Sequence, residues 1–366
     1  MKNFKKEKIV IATGGTGGHV FPAYSLAKHF IEDDKSVEVL TDERGFKYLK
    51  NYQNLNIKVI NSTTIFKKSF VKKLFSFVII VISFFKAIIS LYRAQPKLVF
   101  GMGGYSSFPI CLASKILKIP FIIYENNLIL GKANKYLLPL AHKLFVAYPE
   151  LNGVNQKYKS KVFTTGNILR KEILNFNKDN KKIKDNILSI LVLGGSQAAK
   201  SFGELLPKIF KNCSDSGIKL KIFQQCMESQ NLNLENYYKQ NGIHSELFNF
   251  SNNILEYFSK VDFVITRSGS SMISELLNCS VPLISIPFPY ATDDHQSYNA
   301  KYFEEKGYGF LIKENEINSN LFKLIKCIHN DKNLLKQMSI TQNKHSDKET
   351  FKIIDNELKD LLNEKN

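Results

Sequence analysis

The sequence has few cysteines and none of the patterns that would give them a structural role. The five, Cys111, Cys213, Cys226, Cys279 and Cys327, are odd in number, widely spaced and never form a CxxC pair. This excludes a disulfide framework and a zinc site, both of which need paired or clustered cysteines. His, Cys and carboxylate residues show no metal-ligand spacing either. We therefore predict no metal and no cofactor, in a reducing cytoplasmic compartment.

Acidic residues are absent from one long part of the chain. Residues 45–124 contain no Asp or Glu, and basic residues there supply two thirds of the net charge of +18. Such an excess is typical of proteins that contact nucleic acid, an anionic membrane surface or phosphorylated ligands. We expect the partner of this charge at the basic residues of this part, which are Lys47, Lys50, Lys58, Lys67, Lys68, Lys72, Lys73, Lys86, Arg93, Lys97, Lys115 and Lys118.

A long uninterrupted apolar run is also missing, although residues 70–92 are the most apolar segment of the protein. Its longest stretch without charge, residues 74–85, is shorter than the roughly 18 residues that a spanning helix needs. We predict a helix that lies in a membrane interface, with its basic side toward anionic headgroups. A buried core helix and a spanning helix are the alternatives. Because the basic residues flank this uncharged aliphatic and Phe stretch, we expect no nucleic-acid partner.

The chain repeats one pattern, in which a β-branched strand is followed by a glycine loop and an amphipathic helix. The pattern begins at residue 8 and again at residue 187, and at roughly 150 residues per domain the chain has room for about two domains. We predict an α/β fold of two Rossmann-like, doubly wound parallel-sheet domains that face each other across a cleft. Further predicted strands lie at residues 36–40, 98–100, 121–124, 144–147, 219–223, 263–266 and 282–286.

Two glycine turns in the first half are candidates for binding phosphate. GGTGGH at residues 14–19 follows a strand and opens a helix, where backbone N–H groups and the helix dipole attract an anion. Its spacing matches neither the dinucleotide pattern nor the P-loop. GMGGY at residues 101–105 follows another strand. His19 is a candidate general base, because imidazole titrates near neutral pH. Structural turns and a capping or core histidine are the alternatives.

Three loops in the second half carry further candidates. Ser196, in GGSQ at residues 194–197, is placed to cap a helix and to hold a diphosphate. RSGSSMISE at residues 267–275 puts Glu275 about two turns into a helix, where its carboxylate can accept two ribose hydroxyls. PFPYATDDHQ at residues 287–296 combines stiff prolines with polar side chains, as ligand loops do. A plain helix cap and a surface glutamate are the alternatives.

Taken in order, these motifs, with YENN at residues 124–127 and GNILR at residues 166–170, resemble the MurG family of glycosyltransferases from about residue 8 to residue 300. The resemblance implies a GT-B fold and transfer of N-acetylglucosamine from UDP-N-acetylglucosamine to the muramoyl-pentapeptide linked to undecaprenyl diphosphate. It implies an inverting, metal-independent reaction in peptidoglycan synthesis, at the cytoplasmic face of the bacterial plasma membrane. A related transferase acting on another lipid, such as diacylglycerol, is the alternative; a nucleic-acid-binding protein or an oxidoreductase fits less well.

The resemblance also implies roles for domains and residues. Residues 1–168 would bind the acceptor and the membrane, residues 169–349 would bind the UDP-sugar, and a tail helix at 350–366 would return to the first domain. Apart from the resemblance, the acceptor hydroxyl needs a catalytic base, for which His19 is the first candidate, because it lies at the glycine loop, and Glu125 is the second. The acceptor diphosphate would contact Gly14, Gly15, Gly103, Gly104 and Tyr105. The implied donor-binding residues are Thr16, Gly17, Gly18, Asn127, Arg170, Ser196, Ser251, Ser270, Ser271, Met272, Ile273, Ser274, Glu275 and Gln296.

Three positions depart from the family pattern. Tyr124 stands where the family usually has a histidine, so no role of that histidine transfers to this chain. Ile168 replaces a usual proline. Ser251 stands where an aliphatic residue often packs against uracil, so at that position we expect backbone contacts and no side-chain packing.

Overall fold

The computed structural model describes residues 6–52, 54–63, 70–176, 187–195, 200–251 and 253–363. The chain divides into two compact units. Unit 1 consists of Met1–Arg170 together with Asp347–Asn366, and unit 2 consists of Lys171–Ser346. The chain therefore passes from unit 1 to unit 2 and returns at its end.

Unit 1 is built on a parallel sheet with the strand order β3-β2-β1-β4-β5-β6-β7. The chain runs outward from β1 to β3 on one side and then crosses to β4 on the other side. The carboxyl ends of β1 and β4 therefore form the switch point at which ligands bind in such sheets. The strands are β1 (Lys8–Ala12), β2 (Ser36–Thr41), β3 (Asn56–Val59), β4 (Leu98–Gly101), β5 (Phe121–Glu125), β6 (Lys143–Val146) and β7 (Val162–Thr164).

The interior strands of unit 1 are short apolar runs because both faces of the sheet are covered. Val10, Val99 and Ile123 are fully buried in one core, which also includes Ala87 and Leu91 from a helix. The helices of the first part of the chain are α1 (Gly17–Glu32), α2 (Glu43–Leu49), α3 (Phe70–Ala94), α4 (Gly104–Ile116) and α5 (Lys132–Leu137).

Helix α3 buries one face of mostly small residues and exposes a face of large apolar side chains. Ser76, Ser83, Ala87 and Leu91 recur on one face and are buried, and α3 packs against α4. Residues 74–94 are long and apolar enough to cross a membrane by length and composition. The buried-core alternative is wrong, because eight large apolar side chains are 46–70% exposed: Leu74, Phe75, Phe77, Val78, Ile82, Phe85, Ile89 and Tyr92.

Unit 2 has the same plan with one strand fewer among the described residues. Its parallel sheet has the order β10-β9-β8-β11-β12-β13, so the switch point lies between β8 and β11. The strands are β8 (Ile187–Leu193), β9 (Lys219–Gln225), β10 (His244–Phe248), β11 (Phe263–Thr266), β12 (Leu283–Ser285) and β13 (Phe310–Leu311). The helices are α6 (Lys171–Leu174), α7 (Lys200–Asp215), α8 (Asn231–Gln240), α9 (Ile254–Lys260), α10 (Ser270–Asn278), α11 (His295–Glu305), α12 (Phe322–Asn330) and α13 (Asn333–Gln342).

The last helix, α14 (Thr350–Asn363), belongs to unit 1. Phe351, Ile354, Leu358 and Leu362 follow one another at helical spacing and are buried, as expected for an amphipathic helix on a core. His29 of α1 stacks on Phe351 with the ring centroids 4.5 Å apart. The apolar stripe and this ring contact hold the end of the chain on the first unit.

Candidate active site

In unit 1, the turns that follow β1 and β4 meet at the ring of His19. Gly103 and Gly104 have φ angles of +85° and +75°, and a Cβ added at Gly103 would lie 3.0 Å from two ring atoms of His19. A Cβ at Gly104 would lie 3.3 Å from the carbonyl oxygen of Gly14. Only glycine permits both this backbone conformation and this close approach. The structure thus brings the two predicted glycine turns together.

Each of these turns opens a helix whose N-terminus is available to an anion. Helix α1 has Thr16 at its N-cap and α4 has Gly103, and neither cap residue bonds to the helix through its side chain. Neither helix has an acidic residue in its first turn. Because the backbone N–H groups at a helix start and the helix dipole both favour negative charge, the edge of the sheet at His19 is suited to phosphate.

Asp42, a residue not predicted from the sequence, fixes the first turn. Its Oδ1 accepts hydrogen bonds from the backbone N–H groups of Gly15, at 2.9 Å, and Gly45, at 2.8 Å, while its Oδ2 accepts one from Ser106. Burial raises the pKa of Asp42, but these bonds and the Arg44 side chain outweigh it and hold the pKa below its usual range. The Gly15 N–H is thus engaged by Asp42.

Glu125, predicted as a catalytic residue, organises the loop after β5. Its Oε1 accepts hydrogen bonds from the backbone and side-chain N–H groups of Asn127, and its Oε2 accepts from Gly131 and Asn134. The residue is 3% exposed. Next to it, Asn126 donates to the carbonyl oxygen of Gly18. A carboxylate with both oxygens bonded in this way is suited to holding Asn127 beside the first glycine turn, and poorly suited to accepting a substrate proton.

The two departures at Tyr124 and Ile168 are in direct contact. The buried Tyr124 hydroxyl accepts a hydrogen bond from the backbone N–H of Ile168 at 3.2 Å and donates to the carbonyl oxygen of Gly166. Burial raises the pKa of Tyr124 well above its usual value. Arg170, which ends this segment, lies 6.0 Å from the ring centroid of Phe21 on α1. The segment that carries Arg170 is therefore anchored on unit 1.

In unit 2, Gln296 joins two of the predicted donor loops. Its Oε1 accepts hydrogen bonds from the backbone N–H groups of Ser268, at 3.2 Å, and Phe288, at 2.9 Å. Asn299 supports the same loop by donating to the carbonyl oxygen of Ser268. The carbonyl end of the Gln296 side chain is thus used structurally, and its amide nitrogen is the end that can donate to a ligand.

Arg267 is a second residue whose role the sequence did not reveal. It is 6% exposed, and its guanidinium donates to the carbonyl oxygen of Pro287 at 3.1 Å and to the hydroxyl of Ser201 at 2.6 Å. It also pairs with Glu314 and lies 4.4 Å from the ring centroid of Phe202. Burial lowers the pKa of Arg267, and Glu314 opposes this change. Arg267 thus connects the segments after β11 and β12 with the start of α7.

The other residues predicted to bind the donor differ in their position and burial in unit 2. Gly269 is the N-cap of α10 and forms no side-chain cap, so the first residues of that helix, Ser270, Ser271 and Met272, present its N-terminus. Ile273 and Ser274 are fully buried, so their side chains pack inside unit 2. Glu275 is only 7% exposed, which excludes the surface-glutamate alternative. The side chain of Ser251 accepts a hydrogen bond from the Asn253 N–H. Ser196 lies outside the described residues.

The described residues contain no group of three or more His, Cys, Asp or Glu side chains that could hold a metal ion.

Comparisons with known proteins agree with this geometry. Residues 9–146 match the glycosyltransferase family 28 N-terminal domain, and residues 189–354 match the family 28 C-terminal domain. UDP-N-acetylglucosamine–N-acetylmuramyl-(pentapeptide) pyrophosphoryl-undecaprenol N-acetylglucosamine transferases of Pelagibacter ubique and Rickettsia felis are 34% and 35% identical. The first alignment covers 90% of this chain and 91% of the relative, and the second covers 89% and 92%.

A solved structure agrees as well. The crystal structure of Acinetobacter baumannii MurG superimposes with a TM-score of 0.75 at 25% identity, over 95% of this chain and 98% of that one. The predicted fold, two parallel-sheet α/β domains of the GT-B type, is confirmed. The chain therefore belongs to glycosyltransferase family 28 and, within it, to the MurG family of N-acetylglucosamine transferases.

Proposed function

We propose that the protein transfers N-acetylglucosamine from UDP-N-acetylglucosamine to the muramoyl-pentapeptide linked to undecaprenyl diphosphate, the activity for which its relatives are named. The observation that carries this assignment is the meeting of two uncapped helix N-termini at His19. A site for phosphate and a candidate base thus lie side by side. An acceptor whose reacting sugar is attached to a diphosphate needs both.

In the proposed reaction, the acceptor hydroxyl attacks the anomeric carbon of the donor sugar while the bond from that carbon to the diphosphate breaks. The hydroxyl proton passes to His19, and UDP leaves with the bonding electrons. A single displacement of this kind inverts the anomeric centre. We assign the base to His19 because its ring lies against Gly103 and Gly104, whereas both oxygens of Glu125 already accept hydrogen bonds.

The leaving UDP gains negative charge as the bond breaks, and fixed donors lower the barrier by stabilising that charge. In unit 2 these would be the N-terminus of α10 at Ser270 and the hydroxyl of Ser196, with Glu275 holding the ribose. Thr16, Gly17, Gly18, Asn127 and Arg170 would supply contacts from unit 1. We propose that this donor set acts without a metal, because a helix end and a guanidinium provide the positive charge themselves.

The direct test is a transfer assay in detergent micelles with UDP-N-acetylglucosamine and the lipid-linked muramoyl-pentapeptide. We expect one UDP released for each disaccharide lipid formed, with and without EDTA. Diacylglycerol offered in place of that acceptor should give no product. Product with diacylglycerol alone would support the alternative lipid glycosyltransferase, and no product with the muramoyl lipid would contradict the proposal.

We further propose that unit 1 docks peripherally on the cytoplasmic face of an anionic plasma membrane through α3. The exposed apolar face of α3 supports this proposal, as do Lys86 and Arg93 on the same helix, which are exposed. Lys115 and Lys118 at the end of α4 are exposed as well. Lys67 and Lys68 lie outside the described residues. Each basic residue near such a surface contributes about 1 kcal/mol of attraction.

Sedimentation with phosphatidylglycerol vesicles tests this docking. Phe85 is 58% exposed on α3, and F85E should weaken vesicle binding by about tenfold or more, because burying a Phe side chain is worth about 1.5–3 kcal/mol. L232E is the matched control, since Leu232 is 68% exposed in unit 2. Equal binding of F85E and L232E would contradict docking through α3.

A further inference from the structure

We propose that Arg44 binds the diphosphate of the lipid-linked acceptor, an inference that rests on the proposed function. Arg44 lies in the first turn of α2, directly after β2, which is the neighbour of β1 in the sheet. Its Nη2 lies 3.7 Å from the position that a Cβ on Gly15 would occupy. The guanidinium is therefore beside the first glycine turn, and a ligand can reach it because the side chain is 59% exposed.

The charges at this edge of the sheet require such a cation. A diphosphate joined to lipid and sugar carries one negative charge on each phosphate. The N-termini of α1 and α4 supply only about +0.5 each, and residues 13–19 and 101–107, which form the two turns, contain no Lys or Arg. The Asp42 carboxylate adds one negative charge at the same turn, so the two helix ends alone leave a deficit of positive charge. Arg44 balances Asp42 and presents the remaining edge of its planar guanidinium to phosphate oxygens.

Asp42 fixes the guanidinium in place for this role. Arg44 donates to Asp42 Oδ2 from Nε at 3.2 Å and from Nη2 at 3.0 Å. Among the described residues, no hydrogen bond uses the Nη1 group, so that edge is left for phosphate. Asp42 is itself held by Gly15, Gly45 and Ser106. A cation fixed in this way loses little side-chain freedom on binding.

Steady-state kinetics with micelle-dissolved acceptor test the proposal. R44Q should raise the KM for the lipid acceptor about tenfold or more, as expected for loss of a charged hydrogen bond. The KM for UDP-N-acetylglucosamine should stay within about twofold, because Arg44 is not among the residues proposed to contact the donor. K47Q is the matched control, since Lys47 is an exposed cation on the same helix. It removes the same charge and should change neither KM.

Other outcomes separate this proposal from the one on which it depends. R44K keeps the charge but loses the fork, so its acceptor KM should fall between those of the wild type and R44Q. An acceptor KM for R44Q equal to that of K47Q overturns the role of Arg44 alone, as does an equal rise in both substrates' KM values. A wild-type protein that makes no product overturns the proposed function, and this inference with it.

Discussion

At the scale of single residues, the two family departures in unit 1 explain each other. Tyr124 offers a hydroxyl to the backbone N–H of residue 168, and that N–H exists only because residue 168 is not proline. In the sequence, Tyr124 and Ile168 are two unrelated departures from the family pattern. In the structure they form one hydrogen-bonded pair, which the sequence cannot reveal because the residues are 44 positions apart.

The Tyr124–Ile168 hydrogen bond predicts that removing the Tyr124 hydroxyl oxygen lowers the stability of the protein. Y124F removes the hydroxyl and leaves the Ile168 N–H and the Gly166 carbonyl without this partner, so we expect the free energy of unfolding to fall by about 1–3 kcal/mol. Urea denaturation measures it. Y136F is the control, since Tyr136 is 60% exposed in the same unit, and should change stability by less than about 0.5 kcal/mol. Equal losses in the two variants would contradict the pairing.

The contacts of His19 and Glu125 predict different kinetic effects. H19A should lower kcat by about 10²–10⁴-fold with little change in thermal stability, because it removes a base at the edge of two turns. E125Q places an amide N–H group against donors from Asn127 or from Gly131 and Asn134, so it should lower the melting temperature and retain more activity than H19A. If E125Q loses more kcat than H19A and keeps its melting temperature, the base is Glu125.

At the scale of elements, strand prediction succeeded in the interior of each sheet and failed at the edges. The nine interior strands coincide with the apolar runs seen in the sequence. The strands that the sequence did not indicate are β3, β7, β10 and β13, which are the four sheet edges. Edge strands are covered on fewer sides, so β3 (NIKV) and β10 (HSELF) carry polar side chains and lack a continuous apolar run.

The connection made by Arg267 predicts that one buried cation stabilises the donor loops together. R267M removes the hydrogen bonds to Ser201 and Pro287 and leaves Glu314 without its cation, with only the Ser201 hydroxyl still donating to it, so unit 2 should lose about 3–5 kcal/mol of stability. We also expect a higher KM for UDP-N-acetylglucosamine. R267K should recover part of the stability. Unchanged stability and donor KM in R267M would show that the three segments are held by other contacts.

At the scale of the whole molecule, the sequence predicted the glycine turns of the candidate site, but it did not predict the residues that hold those turns in place. Two strand–glycine-loop–helix patterns predicted two parallel sheets, and the turns they name lie at the switch points of both sheets. Asp42 was not predicted because its partners, Gly15 and Ser106, lie 27 and 64 positions away in the sequence. Arg267 was not predicted for the same reason. Short motifs reveal turns, whereas the polar side chains that hold turns together depend on long-range packing.

The chain leaves unit 1 after Arg170 and returns at Asp347. Within unit 1, the segment before the exit and the segment after the return are hydrogen-bonded to each other. Asp347, 3% exposed, accepts hydrogen bonds from the backbone N–H of Asn167 at 2.8 Å and from its side-chain amide at 3.2 Å. Helix α14 follows directly and packs its apolar stripe on the same unit. The carboxylate of Asp347 thus fixes the point at which the tail rejoins the first unit.

We therefore expect D347A to destabilise unit 1 by about 2–3 kcal/mol, because it leaves buried donors of Asn167 without a charged acceptor. Hydrogen exchange should show faster exchange in α14 and residues 166–168, and unchanged exchange in α10 of unit 2. E349A is the control, because Glu349 is exposed and pairs only with Lys352 among the described residues; it should change stability by less than about 0.5 kcal/mol. Equal protection of α14 in D347A and E349A would mean that the apolar stripe and the polar contacts of α14, such as Lys143–Glu357, hold the tail without Asp347.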